Sequence, residues 1–245
     1  MVTSPTISLI DDGAARLDLR ARRELKYVFA HYDVAALRSV LRQVCRPIVH
    51  AGPVSTVRSV YFDDRSLSAC RANLDGIGLR HKTRLRWYDL ARPSDRFFLE
   101  VKWRMHRLTG KHRLELASGA PLPDLSFIDL HDAVRRSLNG SLDPTWPLHT
   151  EPVVLVEYRR EHFALHDGSA RLTLDYDLRF CGLLGCGRYH RRFGESLPGV
   201  ALIEHKAAAD QRCRLPGALG RLCARADRFS KYVAGCQRLG YIRHC

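Results

Sequence analysis

The stretch LRHKTRLRWYDL, residues 79–90, alternates basic and apolar side chains. Lys82, Arg84 and Arg86 lie at even positions, whereas Leu85 and Trp87 lie at odd positions. Because successive side chains of a β-strand point to opposite faces of the sheet, the pattern predicts a strand with one cationic and one apolar face. For a single antiparallel strand, the simplest interpretation is that the polar face contacts water.

Six further segments repeat this alternation. The residues that share the charged faces of these segments are Arg22, Glu24, Lys26, Glu100, Lys102, Lys111, Arg113, Glu115, Tyr158, Arg160, Arg171, Thr173, Asp175, Glu204 and Lys206. If the apolar faces pack against helices, the charged faces must line an interior. Like charges enclosed there would repel unless a multivalent anion and some carboxylates balanced them. We therefore expect a basic cavity that holds such an anion.

The charge composition is typical of a protein with a polyanionic partner. The 245-residue chain carries a formal net charge of +14 at pH 7, which attracts polyanions from a distance. These charges form neither a basic tail nor one basic helix face, and few aromatic residues are interleaved with them for base stacking. We therefore expect a phosphate-rich partner and no nucleic acid.

Lysine is rare among the basic residues, since only six of the 40 are lysines. The six are Lys26, Lys82, Lys102, Lys111, Lys206 and Lys231. An ammonium group is a compact point charge that fits against one phosphate oxygen, whereas guanidinium is a planar fork. The lysines are thus candidate functional positions, although drift in composition towards Arg would give the same count.

Chain length and composition favour a single domain over residues 21–245, preceded by a flexible segment, residues 1–20. The first residues include acids and lack the apolar core of a secretory signal, and the apolar stretch Val153–Val156 is far too short to cross a bilayer. We expect a cytoplasmic protein. Its eight cysteines contain no CxxC pair, which favours reduced thiols over a zinc site.

The order of the predicted elements is typical of an α+β protein built on a closed or nearly closed, antiparallel, eight-stranded β-barrel with helices packed outside. Asp33 is placed to cap a helix over residues 34–45, and Ser66 a short helix that ends near Leu74. A third helix is predicted over residues 126–138. The turn HDGS, residues 166–169, joins two long strands, and two helical segments, residues 216–226 and 229–239, end the chain.

Nine short segments resemble one known family. In chain order they are RRELKYVF, SVYFDD, HKTRLRWYD, FLEVKW, KHR, VEYRRE, ARLTLDYDL, ALIEHK and FSKY. Together they resemble the VTC domain, the polyphosphate polymerase branch of the triphosphate tunnel (CYTH-like) metalloenzymes. The resemblance runs from Arg22 to the last helix. Each segment alone is a weak signal, whereas nine in the same order are specific.

The resemblance implies a role for most of these residues. It implies that Lys26, Arg84, Arg86, Lys102 and Lys231 are catalytic, and that Arg22, Lys111, Tyr158, Arg160, Arg171, Lys206 and Ser230 bind substrate. Glu204 corresponds to the carboxylate that holds a divalent metal, Mn²⁺ or Mg²⁺, and Glu24 is a second candidate ligand. Lys82 receives no role.

The first strand departs from the pattern of the hydrolytic relatives. Triphosphatases of this superfamily begin with ExExK, whereas this chain has Arg22, Glu24 and Lys26. One metal-binding carboxylate is thus replaced by a cation. Fewer metal ligands and more fixed positive charge favour retention of a long phosphate product, which is the trait of the polymerase branch.

The resemblance therefore implies a polyphosphate kinase-type phosphotransferase, which moves the γ-phosphate of ATP onto inorganic polyphosphate in a metal-dependent reaction. The alternatives are a triphosphatase of the same fold, which would release orthophosphate, and a polyanion-binding module without activity. A nucleic-acid-binding protein is a third alternative. Eukaryotic VTC subunits work within membrane assemblies, so a separate membrane-protein partner stays open, as does the oligomeric state.

Overall fold

In the computed structural model, the described residues are 7–9, 22–89, 96–106, 108–118, 126–138, 150–208, 217–220 and 226–243. The strands are β1 (Ile7–Leu9), β2 (Arg22–Ala30), β3 (Cys45–Ile48), β4 (Ser55–Asp63), β5 (Leu79–Asp89), β6 (Arg96–Met105), β7 (Leu108–Ser118), β8 (Glu151–Leu165), β9 (Ala170–Gly182), β10 (Glu195–Ser196) and β11 (Val200–Ala208). The helices are α1 (Val34–Val44), α2 (Ser68–Leu74), α3 (Phe127–Leu138), α4 (Gly217–Gly220) and α5 (Lys231–Arg238).

The described strands form one sheet in which every strand pair is antiparallel. Along the sheet the order is β1-β7-β6-β5-β4-β8-β9-β11-β2, while β3 pairs with β8 and β10 with β9. Seven of the eight long strands are those that the alternation predicts, and the eighth is β4, whose sequence TVRSVYFDD is also rich in residues typical of strands. The three short strands β1, β3 and β10 add to them. Most of the predicted segment 1–20 lies outside the described residues, so its flexibility stays a prediction.

Among the described residues, backbone hydrogen bonds do not close the sheet into the predicted barrel. The outer edge of β7 pairs with β1. On the free edge of β2, Tyr27 forms a bridge with Ala226, and the N–H of Asp227 donates to the carbonyl of Lys26 at 2.8 Å. Because these segments satisfy the edge groups that barrel closure would need, β2 and β7 do not pair with each other.

Two helices cover the apolar outer face of the sheet, as predicted. On one half, α1 buries Leu37 and Leu41 against a cluster that includes Phe29 and Phe163. On the other, α3 packs with Trp87 and its neighbours. The helix α1 begins as the sequence indicates, because the carboxylate of Asp33 accepts the N–H of Ala35 at 2.9 Å.

The prediction that all helices lie outside the barrel is wrong for two of them. The helices α2 and α5 pack on the same sheet face as the charged side chains, where Tyr232 and Cys236 of α5 join a core with Val154 and Phe180. The approach is close, since a Cβ on Gly235 would lie 2.9 Å from Phe180. The physical reason is that this face carries apolar residues along part of β8 and β9, which need a cover.

The start of α2 also differs from the prediction of a Ser66 cap. Leu67 precedes the helix in a left-handed conformation, with φ of 57°, and its side chain does not cap. The carboxylate of Asp63 instead accepts the N–H groups of Ala69 and Cys70 at 3.0 and 2.9 Å. Asp63 also accepts the hydroxyl of Tyr232 at 2.7 Å, so one buried carboxylate ties α2 to α5.

Near the C-terminus, the predicted helix over residues 216–226 is represented by α4 alone, and residues 221–225 lie outside the described part of the chain. Among the helices that the structure describes, none combines the length and the apolar character that crossing a membrane would require.

Candidate anion-binding site

The register of β5, β6 and β7 arranges the cations of the charged face in rows across the sheet. Arg84 lies opposite Glu100, which in turn lies opposite Arg113. Two residues further along, the next row consists of Lys82, Lys102 and Lys111. Like charges directly opposite each other destabilise a sheet, so a row of three lysines favours a site for an external anion.

Glu100 is the carboxylate that balances the first row. It is 1% exposed, and four cations lie around it. The nitrogen–oxygen distances are 2.5 Å for Arg84, 2.7 Å for Lys111, 3.5 Å for Arg113 and 3.6 Å for Arg86. Burial would raise the pKa of Glu100, but the charges of Arg84 and Arg86 hold it well below its usual value. The Glu100 group therefore carries a net charge of three positive units.

Asp175 and Glu204 balance a second group of cations, contributed by β8, β11 and α5. Arg160 binds Asp175 through two bonds of 2.6 Å and reaches Glu204 at 3.2 Å. Lys231 lies 2.6 Å from Asp175 and 3.2 Å from Glu204. Lys206 lies 3.3 Å from Glu204. Burial would raise the pKa of Glu204, but Lys231 and Lys206 lower it well below its usual value. Both carboxylates are thus ionised at neutral pH.

Glu24 links the edge strand β2 to the distant strand β6. Its carboxylate lies 3.8 Å from Lys26 of the same strand and 3.9 Å from Lys102 of β6. Burial would raise the pKa of Glu24, but the net effect of its surroundings, led by Lys102, lowers it to about 2. The ammonium group of Lys26 also donates to the carbonyl of Phe229 at 3.1 Å. Lys26 and Lys102 are therefore brought to one place from distant strands of the sheet.

The start of α5 contributes the predicted pair Ser230 and Lys231. The hydroxyl of Ser230 accepts the N–H of Val233 at 3.4 Å and caps the helix, which fixes the backbone just before Lys231. The same hydroxyl accepts a bond from Lys82 at 2.8 Å. Lys82, which has no predicted role, thus lies beside the start of α5. Burial and the neighbouring charges of Lys26 and Lys102 lower the pKa of Lys82 to about 7.

Tyr158 lies between the two groups of cations. Its hydroxyl accepts a bond from Arg86 at 3.3 Å. The charged ends of Arg160 and Lys231 lie 5.2 and 4.7 Å from the centre of its ring, within the range of cation–π attraction. Tyr158 therefore positions cations from three elements instead of supplying charge itself.

A cavity of about 840 Å³ opens beside these groups. The lysines that line it are Lys26, Lys82, Lys102 and Lys111, together with Ser230. The acids among its lining residues are Glu24 and Asp227. The volume lies within the range of pockets that hold small-molecule ligands, and the surplus of cations makes the cavity suitable for a polyanion.

Two predicted substrate-binding residues are not placed in this cluster. The side chain of Arg22 lies outside the described part of the structure, although its backbone pairs with Ala208. Arg171 is exposed at the start of β9, opposite Lys206. Their roles therefore stay predictions. Every other predicted site residue lies on the charged face of the sheet or at the start of α5.

Besides Lys82 and Arg113, three residues of the cluster have no predicted role. Glu100 and Asp175 hold the basic side chains in place, and the hydroxyl of Tyr61 accepts a bond of 2.8 Å from Arg84. A signal for both carboxylates is present in the sequence, because Glu100 lies two residues before Lys102 and Asp175 two residues after Thr173. Tyr61 has no such signal, because its neighbours two residues away on the strand are Ser59 and Asp63, which have no predicted role.

The carboxylate oxygens of Glu24 and Glu204 are suitable ligands for a divalent metal. Glu24 and Glu204 lie on the neighbouring strands β2 and β11, two residues apart in register, and each is ionised. Mg²⁺ and similar ions prefer carboxylate oxygens and take their remaining ligands from water and substrate phosphates. Three cations now neutralise Glu204, so a metal would share that carboxylate with them.

One comparison with known proteins identifies the family. A search of curated proteins finds no significant match. A solved structure from Vibrio parahaemolyticus, of a protein whose assignment as an adenylate cyclase is provisional, aligns with a TM-score of 0.41 and 13% identity over 83% of each chain. The family model described as the VTC domain matches residues 21–240. Because this match covers most of the chain, the protein belongs to the VTC domain family.

Proposed function

We propose that the protein is a polyphosphate polymerase that transfers the γ-phosphate of ATP to the end of an inorganic polyphosphate chain. The observation that carries the proposal is the row formed by Lys82, Lys102 and Lys111, which faces one cavity beside the Glu100 group. Membership of the VTC domain family supports an enzyme that handles phosphate chains.

The proposed reaction requires two anions to approach each other. The triphosphate of ATP would lie against Arg84 and Arg86, which present two guanidinium groups from neighbouring positions of one face. Lys102 and Lys231 would contact the phosphoryl group in transfer, where charge spreads over its oxygens. Fixed cations would offset the repulsion between donor and acceptor without reorganisation during the reaction.

Neither a protein nucleophile nor a general base is needed for this transfer. The attacking group is the terminal phosphate of the acceptor, which is already an anion at neutral pH. Its oxygen forms a bond to the γ-phosphorus while the bond to the β-phosphate oxygen breaks, and ADP leaves. The side chains therefore act by binding, alignment and charge stabilisation.

Glu204 would hold Mn²⁺ or Mg²⁺, with Glu24 as a second ligand. When bound, the ion would neutralise charge on the phosphate oxygens and align the donor. Lys231, Lys206 and Arg160 now pair with Glu204, and each could then turn part of its hydrogen bonding towards phosphate. The carboxylates would thus hold these cations in position until a phosphate group binds.

The altered first strand favours synthesis over hydrolysis. Arg22 replaces one of the two carboxylates with which the triphosphatases of this fold begin, which removes a metal ligand near the substrate. One observation favours the hydrolase alternative: Glu24 remains beside Glu204, so two carboxylates are still available for a metal that could activate water.

One incubation separates the two functions. The protein is mixed with ATP and Mn²⁺, the products are stained for long polyphosphate on a gel, and free orthophosphate is measured in the same tube. The proposal predicts polymer, with ADP formed in step. Orthophosphate without polymer would establish the hydrolase instead. The Arg84→Ala variant serves as the inactive control for both readings.

A further inference from the structure

The charged face continues beyond the residues that the sequence singled out. Arg80 and Arg104 lie opposite each other on β5 and β6, in the row that follows Lys82 and Lys102 towards the strand ends. Both line the cavity. Because alternate residues of a strand share one face, the row of Arg80 lies about 7 Å from that of Lys82 and about 13 Å from that of Arg84.

A third arginine joins this row from another part of the chain. Arg228 lies in the segment before α5 and also lines the cavity. A Cβ built on Gly76, in the turn before β5, would lie 3.6 Å from a guanidinium nitrogen of Arg228. Burial, followed by the charges of Arg104 and Arg228, lowers the pKa of Arg80. Arg80 therefore lies close enough to Arg104 and Arg228 to be repelled by both, and we name these three residues the outer arginine triad.

The outer arginine triad differs from the inner arginines in its partners. Arg84 is paired with Glu100, and Arg160 with Asp175. Within the described part of the chain, no carboxylate forms an ion pair with any member of the triad. Arg80 and Arg104 donate instead to the backbone carbonyls of Ile77 and His106, which hold their side chains at the turns.

Exposed arginines that merely keep a protein soluble would spread apart to lower their repulsion. Here register, turn hydrogen bonds and the approach of Arg228 keep three of them together at the edge of a cavity that is already cationic. This arrangement is unfavourable for the free protein, and an external anion would relieve it. The rows of cations continue without a break from Arg84 to Arg80, so an elongated anion bound there would lie along the strand direction.

We propose that the outer arginine triad is a subsite for inorganic polyphosphate, which holds the phosphates beyond those bound by the inner cations. The proposal rests on the proposed function of the same cavity. The backbone positions of Arg84 and Arg80 lie about 13 Å apart along the strand, so we expect a linear phosphate chain that contacts both side chains to need more than three phosphate units. The triad thus selects for chain length, whereas the inner cations bind any triphosphate.

The test compares the binding of tripolyphosphate and of long-chain polyphosphate, without ATP or metal, at several salt concentrations. The variant is the triple substitution Arg80→Ser, Arg104→Ser and Arg228→Ser. The matched control carries Arg42→Ser, Arg46→Ser and Arg65→Ser, which removes three exposed arginines that do not line the cavity.

The triad variant should bind long-chain polyphosphate about 10- to 100-fold more weakly than the unaltered protein, and its dependence on log salt should become shallower by about two to three units. Its affinity for tripolyphosphate should stay within about twofold, which also shows that the inner site is folded. The control variant should keep the preference for long chains.

An equal loss for both ligands would overturn the proposal, as would an equal loss in the control. A single-stranded oligonucleotide that binds through the triad as tightly as polyphosphate would also overturn it. Failure of the polymerase proposal would give a different result, because binding is measured without synthesis. In that case ATP would give no polymer, whereas length-dependent binding through the triad would persist.

Discussion

Glu24 of β2 and Lys102 of β6 lie 3.9 Å apart, although six strand-to-strand steps separate these strands in the sheet. In a flat sheet the same steps would span about 29 Å. The sheet is therefore curled so that its charged face encloses a space, even though backbone hydrogen bonds do not close it. Cations of distant strands therefore line the same cavity.

Arg84→Ala and Lys231→Ala should both abolish polymer formation, but with different effects on stability. Either loss should lower the rate of synthesis by about 10²-fold or more, because a fixed cation is missing from the transition state. Glu100 keeps three other cations when Arg84 is lost. Loss of Lys231 leaves Asp175 and Glu204 buried with less compensation, which should cost about 3–5 kcal/mol of unfolding free energy.

Gel assays and urea unfolding of both variants check this difference, with Arg65→Ala as a control because Arg65 is 91% exposed at its side chain. Near-normal synthesis by Arg84→Ala and Lys231→Ala would contradict the site assignment. Equal unfolding free energies would contradict the structural role of Lys231.

Glu100→Gln should make the protein less stable and more responsive to polyanions. The substitution removes the negative charge among Arg84, Arg86, Lys111 and Arg113, so their repulsion is no longer balanced. Added tripolyphosphate should restore that balance. We expect a larger rise in Tm on addition of tripolyphosphate than for the unaltered protein, measured by calorimetry without metal. An equal rise in both proteins would show that the anion binds away from Glu100.

Glu204→Gln should weaken the dependence of synthesis on a divalent ion. Loss of a direct ligand should shift the Mn²⁺ titration by more than the roughly 10- to 100-fold that loss of a ligand's hydrogen-bond partner costs. The measurement is a Mn²⁺ titration of polymer formation and of tripolyphosphate binding. Glu195→Gln is the matched control, since Glu195 lies at the surface beside Arg238. An unchanged titration for Glu204→Gln would remove that residue from the metal site.

Binding of polyphosphate should weaken as the pH rises through about 7, because that is the value to which the pKa of Lys82 is lowered in the free protein. Below this pH the ammonium group is charged and binds phosphate. Above it, binding must take up a proton, so affinity should fall by at most tenfold per pH unit for this group. The charged groups around Lys82 are Lys26, Lys102, Arg84 and Arg80.

The same shift has an opposite sign for the stability of the free protein. Between pH 7 and the ordinary lysine value of 10.5, the unfolded chain keeps the proton that folded Lys82 has lost, so Lys82 adds stability as the pH rises.

Tripolyphosphate itself titrates, so the measurement is the difference in binding between the unaltered protein and Lys82→Met across pH 6 to 9. Parallel curves would show that Lys82 does not titrate in this range.

Much of the fold is readable because its signals are local. Alternation predicts seven of the eight long strands and the face that each of their side chains occupies, and Asp33 marks the start of α1. The covering of the β2 edge by Ala226 and Asp227 is not readable, since it joins segments about 200 residues apart in a region without a strand pattern. The position of α5 on the charged face is likewise decided by packing between distant parts of the chain.

The candidate site shows the same division between local and distant signals. The parity of the strands places most of the predicted cations on one face. The same parity includes Arg80 and Arg104, but only the register between β5 and β6 shows that they face each other.

The capping of α2 by Asp63 instead of Ser66 depends on the left-handed conformation of Leu67, which favours glycine and is not expected for leucine.

The most direct test of the shared cavity is a crystal structure of the protein with tripolyphosphate and Mn²⁺. We expect one phosphate chain within hydrogen-bond distance of Arg84, Lys102 and Lys231 at the same time, with the ion on Glu204. Phosphate bound at separate outer surfaces, with none between these three side chains, would contradict the account.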